Sequence, residues 1–181
     1  MSITPGTHNL GPDNGTLTVK TRRSGAAAKA GHDLTIAVEA WEATLTISED
    51  PSQSSLTLNA TADSLRVVDG TGGIQSLGDD DKKTIKETID KDVLKREDIQ
   101  FRSTSVQAAD GKLTVQGDLT VRGKTNPITF DLAVGNDGKV SGSAIVKQTN
   151  FGMKPYSALF GALKVADEVT VAIQECGLPS S

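Results

Sequence analysis

Residues 113–130 read LTVQGDLTVRGKTNPITF, and this stretch decides the fold. Leu113, Val115, Gly117, Leu119 and Val121 stand at every second position, with Thr, Gln, Asp and Thr between them. A strand sends successive side chains to opposite faces, so this pattern predicts a strand with one apolar and one wet face. Arg122 to Pro127 reads as a connection, after which Ile128, Phe130, Leu132 and Val134 resume the alternation. Two such runs joined by a short Gly-containing turn predict an antiparallel hairpin.

The same period extends outward in both directions. Downstream it marks Val140 to Val146 and Val169 to Ile173; upstream it marks Leu56 to Ala62 and Ile99, Phe101, Ser103 and Ser105. Leu17 and Val19 form a further pair. Leu34, Ile36, Val38 and Ala40 share one face, but Trp41, Ala43, Leu45 and Ile47 continue in the opposite phase. A slip of one residue inverts a strand, so a bulge or tight turn is required near Ala40-Trp41. Asp110-Gly111 and Asp137-Gly138 carry hairpin-turn chemistry. Together these runs predict about eight or nine half-buried antiparallel strands. The expected fold is all-β: an antiparallel closed barrel of about eight strands, since closure removes exposed sheet edges. One or two short helices complete it. Ile85, Ile89 and Val93 form a helical stripe behind Asp79-Asp80-Asp81, which suit a helix N-terminus. A second short helix is expected around Ser157 to Leu163.

The chain has 181 residues, a net charge of −4 and a single cysteine, Cys176. This length suits one domain, read as residues 15–175 between an N-terminal segment 1–14 and a tail 176–181. Interspersed charges build no one-sided basic field, which argues against nucleic acid as a partner. No run reaches the roughly 20 apolar residues of a transmembrane segment. The opening MSITPGTHNLGPDNG has neither the basic start nor the apolar core of a signal peptide. With one cysteine, the expected location is cytoplasmic.

Catalysis has little support. His32-Asp33 stands alone, without a nucleophile elbow, and neighbours on a strand cannot both address one pocket. The only other histidine is His8, too few ligands for zinc. The aspartates at 79–81 fail the calcium-loop pattern, with Thr84 and Asp90 where Gly and Glu are needed. No cofactor is called for, and the protein is expected not to be an enzyme. Inward positions instead hold small residues: Ala60, Ala62, Ser103, Ser105, Gly117, Gly142 and Ala144. A barrel of this size is either filled by side chains or holds one small ligand. The basic residues Lys20, Arg22, Arg23 and Lys29 form a solvated face or meet an anionic head group at a barrel mouth.

The order of several stretches resembles the YceI-like family. Ile99-Gln100-Phe101-Arg102-Ser103 is similar to the family's Phe-x-Ser strand. Residues 113–130 resemble its hairpin, a Gly-x-Leu-Thr run followed by Gly-x-Thr-x-Pro. Asn150-Phe151-Gly152-Met153 and Val165 to Val169 resemble later family segments. The segment Gly70 to Lys95 departs from the family's short Arg-x-x-His-Leu form, being longer and acidic. The resemblance implies a lipocalin-like barrel around an apolar cavity that holds a polyisoprenoid-type chain. The expected ligand is thus a hydrophobic or amphiphilic small molecule, an isoprenoid or other long-chain lipid, bound without chemistry. Its expected lining is Leu34, Ile36, Leu58, Phe101, Leu119, Phe130, Phe151, Met153 and Phe160, with His32 or Tyr156 toward a head group. The alternative is an interaction or stress-related protein with a filled barrel, acting through surface loops. A homodimer is compatible with either reading.

Overall fold

The hairpin of residues 113–130 folds as its alternation predicts. From Lys112 to Val121, every odd-numbered residue is buried and none of the even-numbered ones is. Arg122 and Gly123 take φ of 53° and 72°. Two consecutive left-handed residues are what a two-residue type I′ turn requires. Residues 124–127, read from sequence as part of the connection, already belong to the returning strand: Lys124 pairs with Val121 and Pro127 with Asp118.

The computed structural model describes residues 5–26, 29, 31–50, 53–73, 76–109, 111–158 and 163–177. In chain order the elements are β1 (Gly6–Leu10), β2 (Thr16–Lys20), β3 (Arg23–Ser24), β4 (Asp33–Val38), β5 (Trp41–Ile47), β6 (Ser55–Ala60) and β7 (Leu65–Thr71). Helix α1 (Asp79–Thr88) follows and runs into a π-helical turn, Ile89–Val93. Then come β8 (Ile99–Ala109), β9 (Lys112–Val121), β10 (Lys124–Val134), β11 (Lys139–Lys147), β12 (Ser157–Ala158), β13 (Leu163–Val165) and β14 (Glu168–Gly177).

The main sheet has 11 strands in the order β1-β5-β6-β8-β9-β10-β11-β14-β2-β4-β7, curved into a half-barrel. This corrects the expectation of a closed barrel of about eight strands: the ladder begins at β1 and ends at β7. The physical cause is a corner. β4 and β5 are one chain bent at Glu39-Ala40, and β6 and β7 are one chain bent at the 3-10 turn Ala62–Ser64. The arms pair twice, β4 with β7 and β5 with β6, so one hairpin supplies four strands to opposite parts of the sheet. Glu39 N–H donates to Ser64 O at 2.9 Å, and Thr61 N–H to Ala40 O at 2.9 Å, across the bend. The Ser64 hydroxyl donates to Thr61 O at 2.8 Å, and Asp98 accepts from Ala62 N–H at 3.0 Å. The phase slip near Ala40-Trp41 is this corner: Ile36 and Val38 are buried before it, Trp41, Ala43, Leu45 and Ile47 after it.

Two strands come from segments without a clean alternation. β1 lies in the 1–14 segment that the sequence sets apart, yet it pairs with β5 along its length. β7 contains Asp69, Gly70 and Thr71, where Asp and Gly are turn-favouring residue types, yet these pair with β4. A bulge lies between Ser103 and Ser105 in β8. It turns Val106, not Ser105, into the core. Of the short helix expected around Ser157 to Leu163, residues 159–162 lie outside the described residues, and the described ends are strand instead. Ser157–Ala158 pairs antiparallel with the start of β13, and β13 pairs with β3 in a three-stranded side sheet.

The core is solid toward one end of the half-barrel. Leu45, Val106, Leu113, Val115 and Val140 are almost fully enclosed there. Phe101 and Phe130 pack above them with ring centroids 5.4 Å apart, tilted by 56°.

Candidate functional site

Above that pair the interior opens into a cavity of about 510 Å³. Its floor includes Leu56, Phe101, Phe130 and Leu132, and its walls include Leu34, Ile36, Val171 and Ile173. The filled interior that the interaction-protein reading needs is therefore absent from this part of the barrel. The volume lies within the usual range of small-molecule sites.

Of the residues expected to line a ligand site, Leu34, Ile36, Leu58, Phe101, Leu119, Phe130, Met153, His32 and Tyr156 all border this cavity. Phe151 does not: it is only 2% exposed and packs in the core. Its place follows from a 3-10 turn, Gln148–Phe151, that ends on Gly152 in the left-handed conformation. Phe160 lies outside the described residues.

The small inward residues divide into two groups. Ala60, Gly142 and Ala144 border the cavity, as does Ala43. Gly117 does not; a Cβ there would lie 2.5 Å from Phe101 Cζ and 2.5 Å from Arg102 O. Its smallness admits the Phe101 ring and opens no space. Ser103 serves the ladder, its Oγ accepting from Leu56 N–H at 2.8 Å.

α1 and its π-turn border the cavity through Thr84, Ile85, Thr88, Ile89 and Val93. The Ile85-Ile89-Val93 stripe is the one the sequence predicts. α1 begins behind Gly78, whose N–H is accepted by Asp81 at 3.0 Å. It packs beside β7, an edge of the main sheet. The Thr84 and Thr88 hydroxyls donate to Asp80 O and Thr84 O, each at 3.0 Å, leaving their methyl groups for the wall. No residue of α1 or of the π-turn is fully buried. An amphipathic helix on a solid core buries its apolar stripe; this one covers a void.

The mouth gathers polar groups from the ends of several strands. Thr21, Arg23, Gly31, His32 and Tyr156 border the cavity there. Arg23 is aligned with Val165 in the side sheet, and Val165 N–H donates to Tyr156 O at 3.0 Å. Arg23 is the one member of the expected basic patch on the wall; Lys20, Arg22 and Lys29 are exposed elsewhere. His32 stands just before β4, and Asp33 is its first residue. Asp33 Oδ1 accepts from Arg23 N–H at 2.8 Å, while His32 borders the cavity. Among the described residues, no three His, Cys, Asp or Glu side chains come together as a metal site, and no helix is long and apolar enough to cross a membrane.

Between β11 and β14 the wall is braced by a polar clasp. Gln148 borders the cavity and its Nε2 donates to Ala166 O at 3.1 Å. Asp167 accepts from the Thr149 hydroxyl at 2.6 Å and from Thr149 N–H at 2.8 Å. The hydroxyl bond, ahead of the other contributions, holds the Asp167 carboxyl below its ordinary value. Thr149→Val should therefore raise the Asp167 pKa, as read by NMR titration. A depressed folded-state pKa contributes stability above the unfolded value, and that contribution disappears as pH falls through the folded one. An unchanged Asp167 titration in Thr149→Val would refute the assignment.

Sequence reasoning missed Thr21, Leu10, Val93 and Leu94 as cavity residues. The alternation placed Leu17, Val19, Val169, Val171 and Ile173 inward without distinguishing wall from filled core. Leu10 carried no periodic signal at all.

A curved antiparallel sheet enclosing an apolar cavity, with a helix across its open side, defines a calyx-type all-β protein. The YceI-like domain matches residues 12–175, and the chain belongs to that family. No curated protein matches it in sequence. In fold it is similar to BcnA of Burkholderia cenocepacia, at 18% identity and a TM-score of 0.68, with 91% of this chain and 96% of that one covered. It is also similar to a YceI protein of Campylobacter jejuni, at 16% identity and a TM-score of 0.55, covering 80% and 84%.

Proposed function

We propose that this protein binds a long apolar or amphiphilic chain, an isoprenoid or another long-chain lipid, in the half-barrel and carries it without chemistry. The cavity is the observation that carries this reading: its described wall is mainly aliphatic and aromatic and includes no carboxylate. Burial contributes about 0.8 kcal/mol per methylene, so a twelve-carbon chain gains on the order of 10 kcal/mol before ordering and association costs. Such a site needs no catalytic motif.

Mass spectrometry of organic extracts from natively purified protein tests the proposal, together with uptake of an added isoprenoid alcohol. One chain per protein is the expected stoichiometry. Uptake should also slow amide exchange in α1, because a ligand gives Ile85, Ile89 and Val93 something to pack against. Extracts free of lipid, with no uptake of the alcohol, would sink the proposal.

A further inference from the structure

We infer that the cavity gauges the length of its ligand: a closed floor at Phe130 and Phe101 lets the protein enclose on the order of 16 carbons of a chain and leaves the remainder of a longer one in water. This rests on the reading that the cavity takes a long apolar chain, and it sets how much of that chain is held.

The change from hollow to solid is abrupt along several strands. In β11 Gly142 borders the cavity and Val140 does not. In β5 the change comes between Ala43 and Leu45, and in β9 between Leu119 and Val115. Leu45, Val115 and Val140 are each fully enclosed, at 0% exposure. An interior packed to crystal-like density leaves no channel between its side chains. A chain end therefore cannot pass this boundary without displacing them, which carries the cost of overpacking.

Phe130 is the part of the floor that a chain end meets. It borders the cavity and is half-buried, while its strand partner is the enclosed Val115. Phe101 braces it from β8, with the ring centroids 5.4 Å apart and the planes tilted by 56°. Tilted pairs at this spacing are among the favoured aromatic arrangements. Phe101 is itself seated over bare backbone: a Cβ on Gly117 would lie 2.5 Å from its Cζ. The floor is thus two rings fixed by three adjacent strands, β8, β9 and β10.

The volume above the floor sets the length. A water molecule takes about 30 Å³ in the liquid, and a chain carbon with its hydrogens is of similar size, so 510 Å³ holds on the order of 17 non-hydrogen atoms. That is a chain of about 16 carbons with one head atom. Each carbon buried tightens binding about fourfold, and a carbon left in water adds nothing.

Displacement of a bound fluorescent probe from the full chain by the saturated fatty acids from decanoate to docosanoate tests the inference, since the head is constant along the series. Kd should fall about fourfold per carbon as far as hexadecanoate, and by less than about twofold per carbon beyond octadecanoate. Geranylgeraniol should bind within about tenfold of farnesol, whereas burial of its additional isoprene unit would tighten it on the order of a thousandfold. Phe130→Ala should move the break toward longer acids by roughly four carbons, the room a phenyl ring leaves behind. Phe130→Leu should move it about half as far; it keeps an apolar side chain in the floor and gives an independent arm if Phe130→Ala lowers the melting temperature. A break below tetradecanoate, a fall in Kd that continues past octadecanoate at more than about twofold per carbon, or a geranylgeraniol preference above about tenfold overturns the gauge and leaves the carrier reading standing. A break that neither variant moves does the same. Failure of every acid and both alcohols to bind overturns both.

Discussion

Ala144→Phe is expected to weaken binding of a long-chain lipid more than a hundredfold while leaving the melting temperature unchanged or higher. Ala144 lies in β11 on the cavity wall, and its neighbour Ile145 points outward at 66% exposure. A phenyl ring at 144 must enter the void. If it displaces about four methylenes of the ligand, the lost burial is on the order of 3 kcal/mol. Since 1.4 kcal/mol is tenfold in Kd, that exceeds a hundredfold. The ring meets open space, so the strain that usually accompanies a small-to-large core change is avoided. Titration with an isoprenoid alcohol, alongside thermal unfolding, measures both effects. Undiminished affinity would mean that the ligand binds elsewhere.

Gly117→Ala is expected to act in the opposite way, costing about 2 to 3 kcal/mol of stability through overpacking. The added methyl would lie 2.5 Å from Phe101 Cζ, 2.5 Å from Arg102 O and 2.7 Å from Ser103 Cα. Two of those atoms are backbone of the paired strand β8, so no side-chain rotation relieves the contact. For a chain of this size the loss corresponds to a fall in melting temperature of roughly 5 to 10 °C. Denaturant midpoints of the two proteins decide the matter; a change under about 0.5 kcal/mol would show that the β8–β9 ladder tolerates a side chain there. Alanine and glycine thus have contrary meanings at 144 and 117, although both stand on inward positions of a strand.

That contrast marks how far the sequence reaches. β9 was legible because its alternation is uninterrupted from Leu113 to Val121, and the corner at Ala40 was legible because a parity change is itself a local signal. β7 was not legible, since Asp69, Gly70 and Thr71 carry loop chemistry and become strand only through pairing with β4. β1 was hidden for the same reason: its register comes from β5, and only Leu10 and His8 turn inward to burial. The bulge at Thr104 leaves no mark in composition, yet it exchanges Ser105 for Val106 in the core. Arg23 could be named as basic from the sequence, but nothing local separated it from Lys20 or Arg22.

By itself, then, the sequence determined the all-β class, the decisive hairpin, the phase slip and the amphipathic stripe of α1. Each of these is written in a side-chain period of two or nearly four residues, which any short window contains. The tertiary structure alone decided the rest: an open ladder of 11 strands, a core solid beneath Phe101 and Phe130 and hollow above them, and Arg23 rather than Lys20 or Arg22 on the cavity wall. An inward-facing residue is packed or exposed to a cavity according to what stands across from it. That neighbour is set by register and curvature between segments remote in the chain.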